Sequence, residues 1–183
     1  MNCMPMPWVN KVKYLGLHFL GPSGKVDPSS TIRKFYGQFN NIMSVLGKGS
    51  NEMTAVHLVK TICLPTLTYG CENAVFCDNT LSKINVTWNN CFRHIFNCCW
   101  RENVKPLQYF CSNMPMTYQI DQMKLVFWKK MFANDNTILY SLSRLIRDRF
   151  AAVASKYGTL SLAQSVSNIK QDVWNSFITN IRF

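Results

Sequence analysis

From residue 28 onward the apolar side chains of this sequence return every three to four positions, and that spacing confines most of the chain to helices. In DPSSTIRKFYGQFNNIMSVLGKG, residues Ile32, Phe35, Tyr36, Phe39, Ile42, Met43 and Leu46 share one helical face. Asp27 precedes them as an N-cap, Pro28 takes the first helical position, where its missing amide is harmless, and Gly47 or Gly49 supplies a left-handed stop. A second helix starts near Asn51, with Met53, Val56, Val59, Ile62 and Cys63 on one side, and Pro65 is expected to kink or end it. A third runs from Asp78 or Asn79 to Trp100 through Leu81, Ile84, Trp88, Cys91, Ile95 and Cys98.

The polar stretch RENVKP ends in Pro106, which resets the chain. Three further stripes follow. The first is Met116, Ile120, Met123, Phe127 and Met131, and the second is Ile138, Leu142, Leu145 and Ile146. Leu162, Val166, Ile169, Val173, Phe177 and Ile181 form the last. Only the amino-terminal part differs. VKYLGLHFL, residues 12–20, is rich in β-branched and aromatic residues and leaves into GPSG, so it reads as β structure. The expected fold is mainly α: a short N-terminal β-strand or hairpin over 1–26, a helical bundle over 27–100, and an irregular helical extension over 101–183. No internal repeat or low-complexity tract interrupts this plan.

Hydrophobic residues make up 48% of the 183 and charged residues 16%, a balance that disfavours disorder. No apolar run approaches the ~18–20 residues a membrane helix needs, so no membrane partner is expected. MNCMPMPWVNKVK holds no continuous apolar core of the secretory kind, and the expected setting is intracellular and reducing, nuclear or cytoplasmic. The net charge is +11, unevenly spread. Residues 1–60 carry seven basic and two acidic side chains, 61–120 carry four and three, and 121–183 carry nine and four. Such an excess favours a polyanionic partner, since each phosphate neutralised releases condensed counterions.

CFRHIFNCCW, residues 91–100, raises the question of a metal site. On a helix, Cys91 and Cys98 continue the apolar stripe of Leu81, Ile84 and Trp88, with His94 at its edge and Arg93 and Asn97 on the wet side. Their Cα atoms would stand roughly 10 Å apart along the axis, too far for two thiolates to share a zinc or to form a disulfide. His94 and Cys98 alone would need two further ligands, and Cys63, Cys71, Cys77 and Cys111 form no paired knuckle. Buried sulfur is the preferred reading. No catalytic centre stands out either. The nine carboxylates are scattered singly, GKGSNEM lacks phosphate-loop spacing, and a cysteine pairing with His57 or His94 has no supporting pattern. The sequon at Asn85-Val86-Thr87 falls within a helix and is read as chance.

Two short motifs carry a resemblance. Tyr14-Leu15-Gly16 lies in the β element, and Pro65, Leu67, Tyr69, Gly70 and Glu72 end the second helix as Pro-x-Leu-x-Tyr-Gly-x-Glu. In this order, and followed by NNCFRHIFNCCWRENVKPLQYFC and QMKLVFWKKMF, they resemble the C-terminal part of a non-LTR retrotransposon reverse transcriptase, over roughly residues 9–145. The chain departs from that pattern at Ala74, where the family has Trp.

The resemblance implies an end-of-palm primer-grip element over 1–26, a thumb-like bundle over 27–100 and the helical region that follows it. It implies a non-catalytic fragment, because the family's aspartates precede the primer grip; the parent enzyme uses Mg, and this chain is expected to hold no cofactor. The implied partner is an RNA–DNA or DNA primer-template duplex, held together with palm and fingers domains. Lys11, Lys13, Tyr14, Leu15 and Gly16 would lie near the primer end, and Arg33, Lys34 and Lys60 would approach phosphates. The alternative is a non-enzymatic helical module that binds a protein partner, co-opted from such an element or unrelated to it. Its surface would be Phe92, Phe96, Trp100 and Phe132, which lie off the main stripes.

Overall fold

The computed structural model describes residues 9–181 apart from 22, 48, 75, 135 and 159–163. It is mainly helical behind a small antiparallel sheet, as expected. The sheet has strands β1 (Lys11–Tyr14), β2 (Leu17–Leu20) and β3 (Val26–Asp27), in the order β1-β2-β3. VKYLGLHFL is therefore two strands rather than one. Leu15 and Gly16 turn the chain between them with φ of 47° and 83°, positive at both positions as a tight type I′ hairpin turn requires. The turn read at GPSG includes Pro22, which lies outside the described residues, as do Leu162 and residues 1–8.

Helix α1 spans Ser29–Leu46. Pro28 already has helical dihedrals, and its carbonyl accepts from Ile32 N at 2.9 Å. The Asp27 carboxylate accepts from the backbone N and the hydroxyl of Ser29, at 3.0 and 2.6 Å, so it closes the helix start as a cap does. At the other end Gly47 takes φ 70° and donates its N–H to Met43 O.

Asp27 also receives the Lys11 ammonium at 2.5 Å, tying β1 to the start of α1. The Lys11 contact and the two Ser29 hydrogen bonds hold its carboxyl well below the usual carboxylate range. A depressed folded pKa stabilises the fold fully above the unfolded carboxylate pKa of ~3.9, and that stability is lost as pH falls from there toward the folded value. Asp27→Asn should therefore lower stability at pH 6 and make little difference at the acid end. Urea unfolding of both proteins at pH 6 and pH 3 checks this: the gap between them should narrow at pH 3, and a gap independent of pH would contradict it.

The second helix passes through Pro65 instead of ending there. α2 (Glu52–Leu58) runs into a π turn at Val59–Cys63 and continues as α3 (Leu64–Thr68). Proline lacks a donor, and its ring presses on the carbonyl four residues back; widening the preceding turn relieves both problems. Val59 and Cys63 both point into the core from that turn. The next helix, α4 (Asp78–Ile95), stops five residues before Trp100. Asn97 adopts φ 50°, Phe96 N donates to Phe92 O, and Cys98 N donates to Arg93 O, which together make a Schellman stop with asparagine in the place of glycine.

Two buried clusters follow. The first joins Phe35 and Phe39 of α1, Val56, Val59, Cys63 and Leu67 of the bent helix, and Ile84, Trp88, Cys91 and Phe92 of α4. Phe92 was expected at the surface; it is 1% exposed and stacks edge-on with Trp88, while Phe96 and Phe132 are half-buried and Trp100 alone stays out at 72%. After α5 (Lys105–Phe110), α6 (Met116–Phe132) carries the chain into the second cluster, which it shares with α7 (Thr137–Ala154) and α8 (Val166–Thr179). Met116 and Ile120 of α6 belong to the first cluster and Leu125 and Trp128 to the second, so α6 borders both. Because α6 is covered on two sides, its buried residues do not follow the single stripe through Met123, Phe127 and Met131.

α4 and the start of α6 are pinned by polar contacts. Trp88 Nε1 donates to Met114 O at 3.1 Å, and Asn85 Oδ1 accepts from Met116 N at 3.0 Å. Asn85 thus caps a helix to which it does not belong, which gives the sequon asparagine a structural occupation. The stripe on α7 came out differently from expectation. Ile138 is 71%, Leu142 45% and Leu145 76% exposed, while Ser143, Phe150 and Ala154 face the core. Among the described residues α7 packs chiefly against α6, so much of its other side is left exposed.

Candidate nucleic-acid interface

The hairpin register pairs Lys11 with Leu20, Val12 with Phe19, Lys13 with His18 and Tyr14 with Leu17. Alternation puts Lys11, Lys13, His18 and Asp27 on one face and Val12, Tyr14, Leu17, Phe19 and Val26 on the other. β1 is exposed along its whole length, and its two lysines keep a free strand edge from templating other strands. On the polar face, His18 Nδ1 lies 2.9 Å from Ser30 Oγ, joining β2 to α1 as Lys11–Asp27 joins β1 to it.

The apolar face meets the end of α3. Tyr69 OH donates to Leu15 O at 3.1 Å. Gly16 lies against the Tyr69 ring, where an added β-carbon would stand 3.6 Å from it. Gly70, at φ 72°, lets Leu17 pack so closely that a β-carbon there would fall 2.6 Å from Leu17 Cδ1. The two sequence motifs, 54 residues apart at the Tyr69–Leu15 hydrogen bond, thus form one joint. Beside it is a cavity of about 470 Å³ lined by Tyr14, Leu17, Phe19, Pro65, Tyr69 and Ala74, among others. Ala74 is 9% exposed.

At the tip, Tyr14 is 64% and Leu15 70% exposed. Leucine in the left-handed region costs roughly 1–2 kcal/mol, and no burial of its own side chain offsets that here. A strained, exposed apolar residue at a hairpin tip is a functional candidate.

The expected phosphate-contacting side chains are dispersed. Lys11 is held by Asp27, and Lys13 lies exposed on the same face. Arg33 and Lys34 are exposed on the first turns of α1. Lys60, on the π turn, donates to the carbonyl of Ser112 at 3.2 Å, next to the C-terminus of α5, where a cation also meets the negative end of the helix dipole. Lys13, Arg33 and Lys34 therefore remain the most available of the set. Tyr69, Gly70, His18 and Asp27 were missing from it, yet they build the joint that positions the hairpin. The signal for Tyr69 and Gly70 was present in the sequence, as a motif without a contact partner.

Around CFRHIFNCCW, Cys91 is buried and Cys98 half-buried, while His94 sets its ring edge-on to Phe39 at 5.3 Å. Burial pushes the Cys91 thiol up, that of Cys63 up to about 11 and that of Cys71 up to about 12, away from the thiolate form that binds metal or attacks carbon. Among the described residues no three His, Cys, Asp or Glu side chains gather as metal ligands. Among the described residues no helix is long and apolar enough to cross a membrane. No protein-family model matches the chain, and no curated protein or solved structure matches it either.

Proposed function

We propose that this chain is a non-catalytic, nucleic-acid-holding piece of a non-LTR retrotransposon reverse transcriptase, in which the β-hairpin and α1 face a primer-template duplex. The observation that supports it most is the joint between Tyr14-Leu15-Gly16 and Tyr69-Gly70. Both motifs belong to the same resemblance, and a shared role in positioning the hairpin gives a reason for both. The availability of Lys13, Arg33 and Lys34 in a chain of charge +11 supports the same reading. Phosphate contacts of this kind position a duplex without reading its sequence.

Three such contacts predict a log–log salt slope of about −2.7, so affinity for a short RNA–DNA or DNA duplex should fall roughly 40-fold between 50 and 200 mM salt. Lys13→Ala should make that slope shallower by about 1. Fluorescence anisotropy with a labelled duplex measures both. Binding that is flat with salt, or absent at low salt, would remove the basis for the proposal.

A second reading has one specific observation behind it, the uncovered apolar side of α7, and leads to a separate surface.

A further inference from the structure

Between α6, α7 and the residues Glu72, Asn73, Ala74 and Phe76 runs an open groove of about 670 Å³. Its floor is apolar: Phe76, Phe127, Met131, Leu142, Leu145 and Ile146. Along α7 it extends from Leu139 to Val153, which at 1.5 Å per residue is about 21 Å, the length of a four-turn helix. Leu142 and Leu145 line it while remaining 45% and 76% exposed, and Ile138 continues the same side of α7 beyond the groove at 71%. One leucine at a surface needs no explanation; three large aliphatic groups at i, i+4 and i+7 beside a groove do.

The charge lining this groove leans positive, with Lys124 and Arg149 against Glu72. Burial lowers the Lys124 pKa most, Asp121 and Cys71 oppose that, and Lys156 and Arg149 each add a smaller lowering. Of the acids nearby, Asp121 is already taken, accepting from Lys156 at 3.2 Å and from Tyr157 OH at 2.8 Å. Glu72 is the carboxylate in the lining itself. Lys124 sits with its ammonium 5.6 Å from the centre of the Phe76 ring, so an aromatic face and a cation meet at the groove wall.

We propose that this groove docks an acidic amphipathic helix of a partner protein. Its apolar ridge would lie over Phe127, Met131, Leu142 and Leu145, and its carboxylates would stand against Lys124 and Arg149. Length, apolar floor and cationic flank each match that occupant, and such helix-in-groove contacts read anchors at i, i+3, i+4 and i+7. This inference does not depend on the nucleic-acid reading, whose residues lie on the hairpin and α1.

The test uses the full chain and a labelled peptide of about 16 residues with leucine every third or fourth position and glutamate between, beside a counterpart with lysine for glutamate. Anisotropy should show binding of the acidic peptide and little of the basic one. Leu145→Asp and Arg149→Glu should each weaken the acidic peptide about tenfold or more, and both positions are exposed, so helicity by circular dichroism should not change. Equal binding of the two peptides, or none, would overturn the proposal. So would a dimer that Leu145→Asp dissolves, which would make a second copy the occupant, or duplex DNA binding lost in both variants, which would give the groove to nucleic acid.

Discussion

Replacing Trp88 with alanine should lower the free energy of unfolding by about 3–5 kcal/mol. Trp88 is 1% exposed at the centre of the first cluster, edge-on to Phe35 at 6.4 Å and to Phe92 at 5.2 Å. Deleting the indole removes its transfer free energy, leaves a cavity that three helices border, and breaks two aromatic contacts of about 0.5–1.5 kcal/mol each. It also removes the hydrogen bond to Met114 O that fixes α4 to the start of α6. Trp88→Phe separates these contributions. Gln119 Nε2 donates to the same carbonyl, so phenylalanine leaves no orphaned acceptor, and the loss should stay near 1–2 kcal/mol. Urea unfolding with an unchanged m-value measures both. If alanine and phenylalanine cost the same, the hydrogen bond rather than the ring holds this cluster.

That residue was legible in the sequence because a helix with one covered side writes its burial into its period. Ile84, Trp88, Cys91 and Ile95 were read on one face, and all four are buried. Phe92 was misread for a physical reason: α4 is covered over more than its central stripe, since α1 lies on one side and the end of the chain's first cluster on another. α6 shows the same failure in a stronger form, with one cluster on each side. α7 shows the reverse. Its stripe is real, but a period says which face is apolar and nothing about whether another element arrives to cover it.

The ends of elements were legible where glycine or proline acts through its own backbone. Asp27 and Gly47 do what their chemistry suggests, while Pro28 stands at the N-cap, one residue before the helix opens at Ser29. Asn97 was missed as a stop because asparagine enters the left-handed region less often than glycine does. Pro65 is expected to kink or end its helix because the interior penalty assumes a regular α turn before it; the helix does not end there, and the π turn before it relaxes that assumption. The hairpin was one of the two expected alternatives, a strand or a hairpin, but its turn was not located. Its turn has leucine where asparagine or aspartate would have announced it. For the candidate site, each motif was visible by itself, whereas their meeting, and the diversion of Lys11 and Lys60 to Asp27 and Ser112, depended on tertiary packing.

Gly70→Ala should cost about 2–5 kcal/mol and should act on the hairpin rather than on the helical bundle. Alanine at φ 72° carries the left-handed penalty of roughly 1–2 kcal/mol, and its β-carbon would meet Leu17 Cδ1 at 2.6 Å. Leu17 has a flexible end and can move, but moving it withdraws the β2 side chain from α3, adding about 1–3 kcal/mol. Gly49→Ala is the matched control. Gly49 has φ 89° with nothing within 4 Å of an added β-carbon, so it should show the backbone penalty alone. Hydrogen exchange then locates the damage: in Gly70→Ala the amides of Lys11–Tyr14 and Leu17–Leu20 should lose protection while those of α1 and α4 keep theirs. The same variant tests whether the joint matters for binding. If the hairpin holds a duplex only when seated on Tyr69 and Gly70, Gly70→Ala should weaken duplex affinity at constant salt while leaving the slope set by Arg33 and Lys34 in place. An affinity unchanged in a variant whose hairpin has come loose would place the contact on α1 alone.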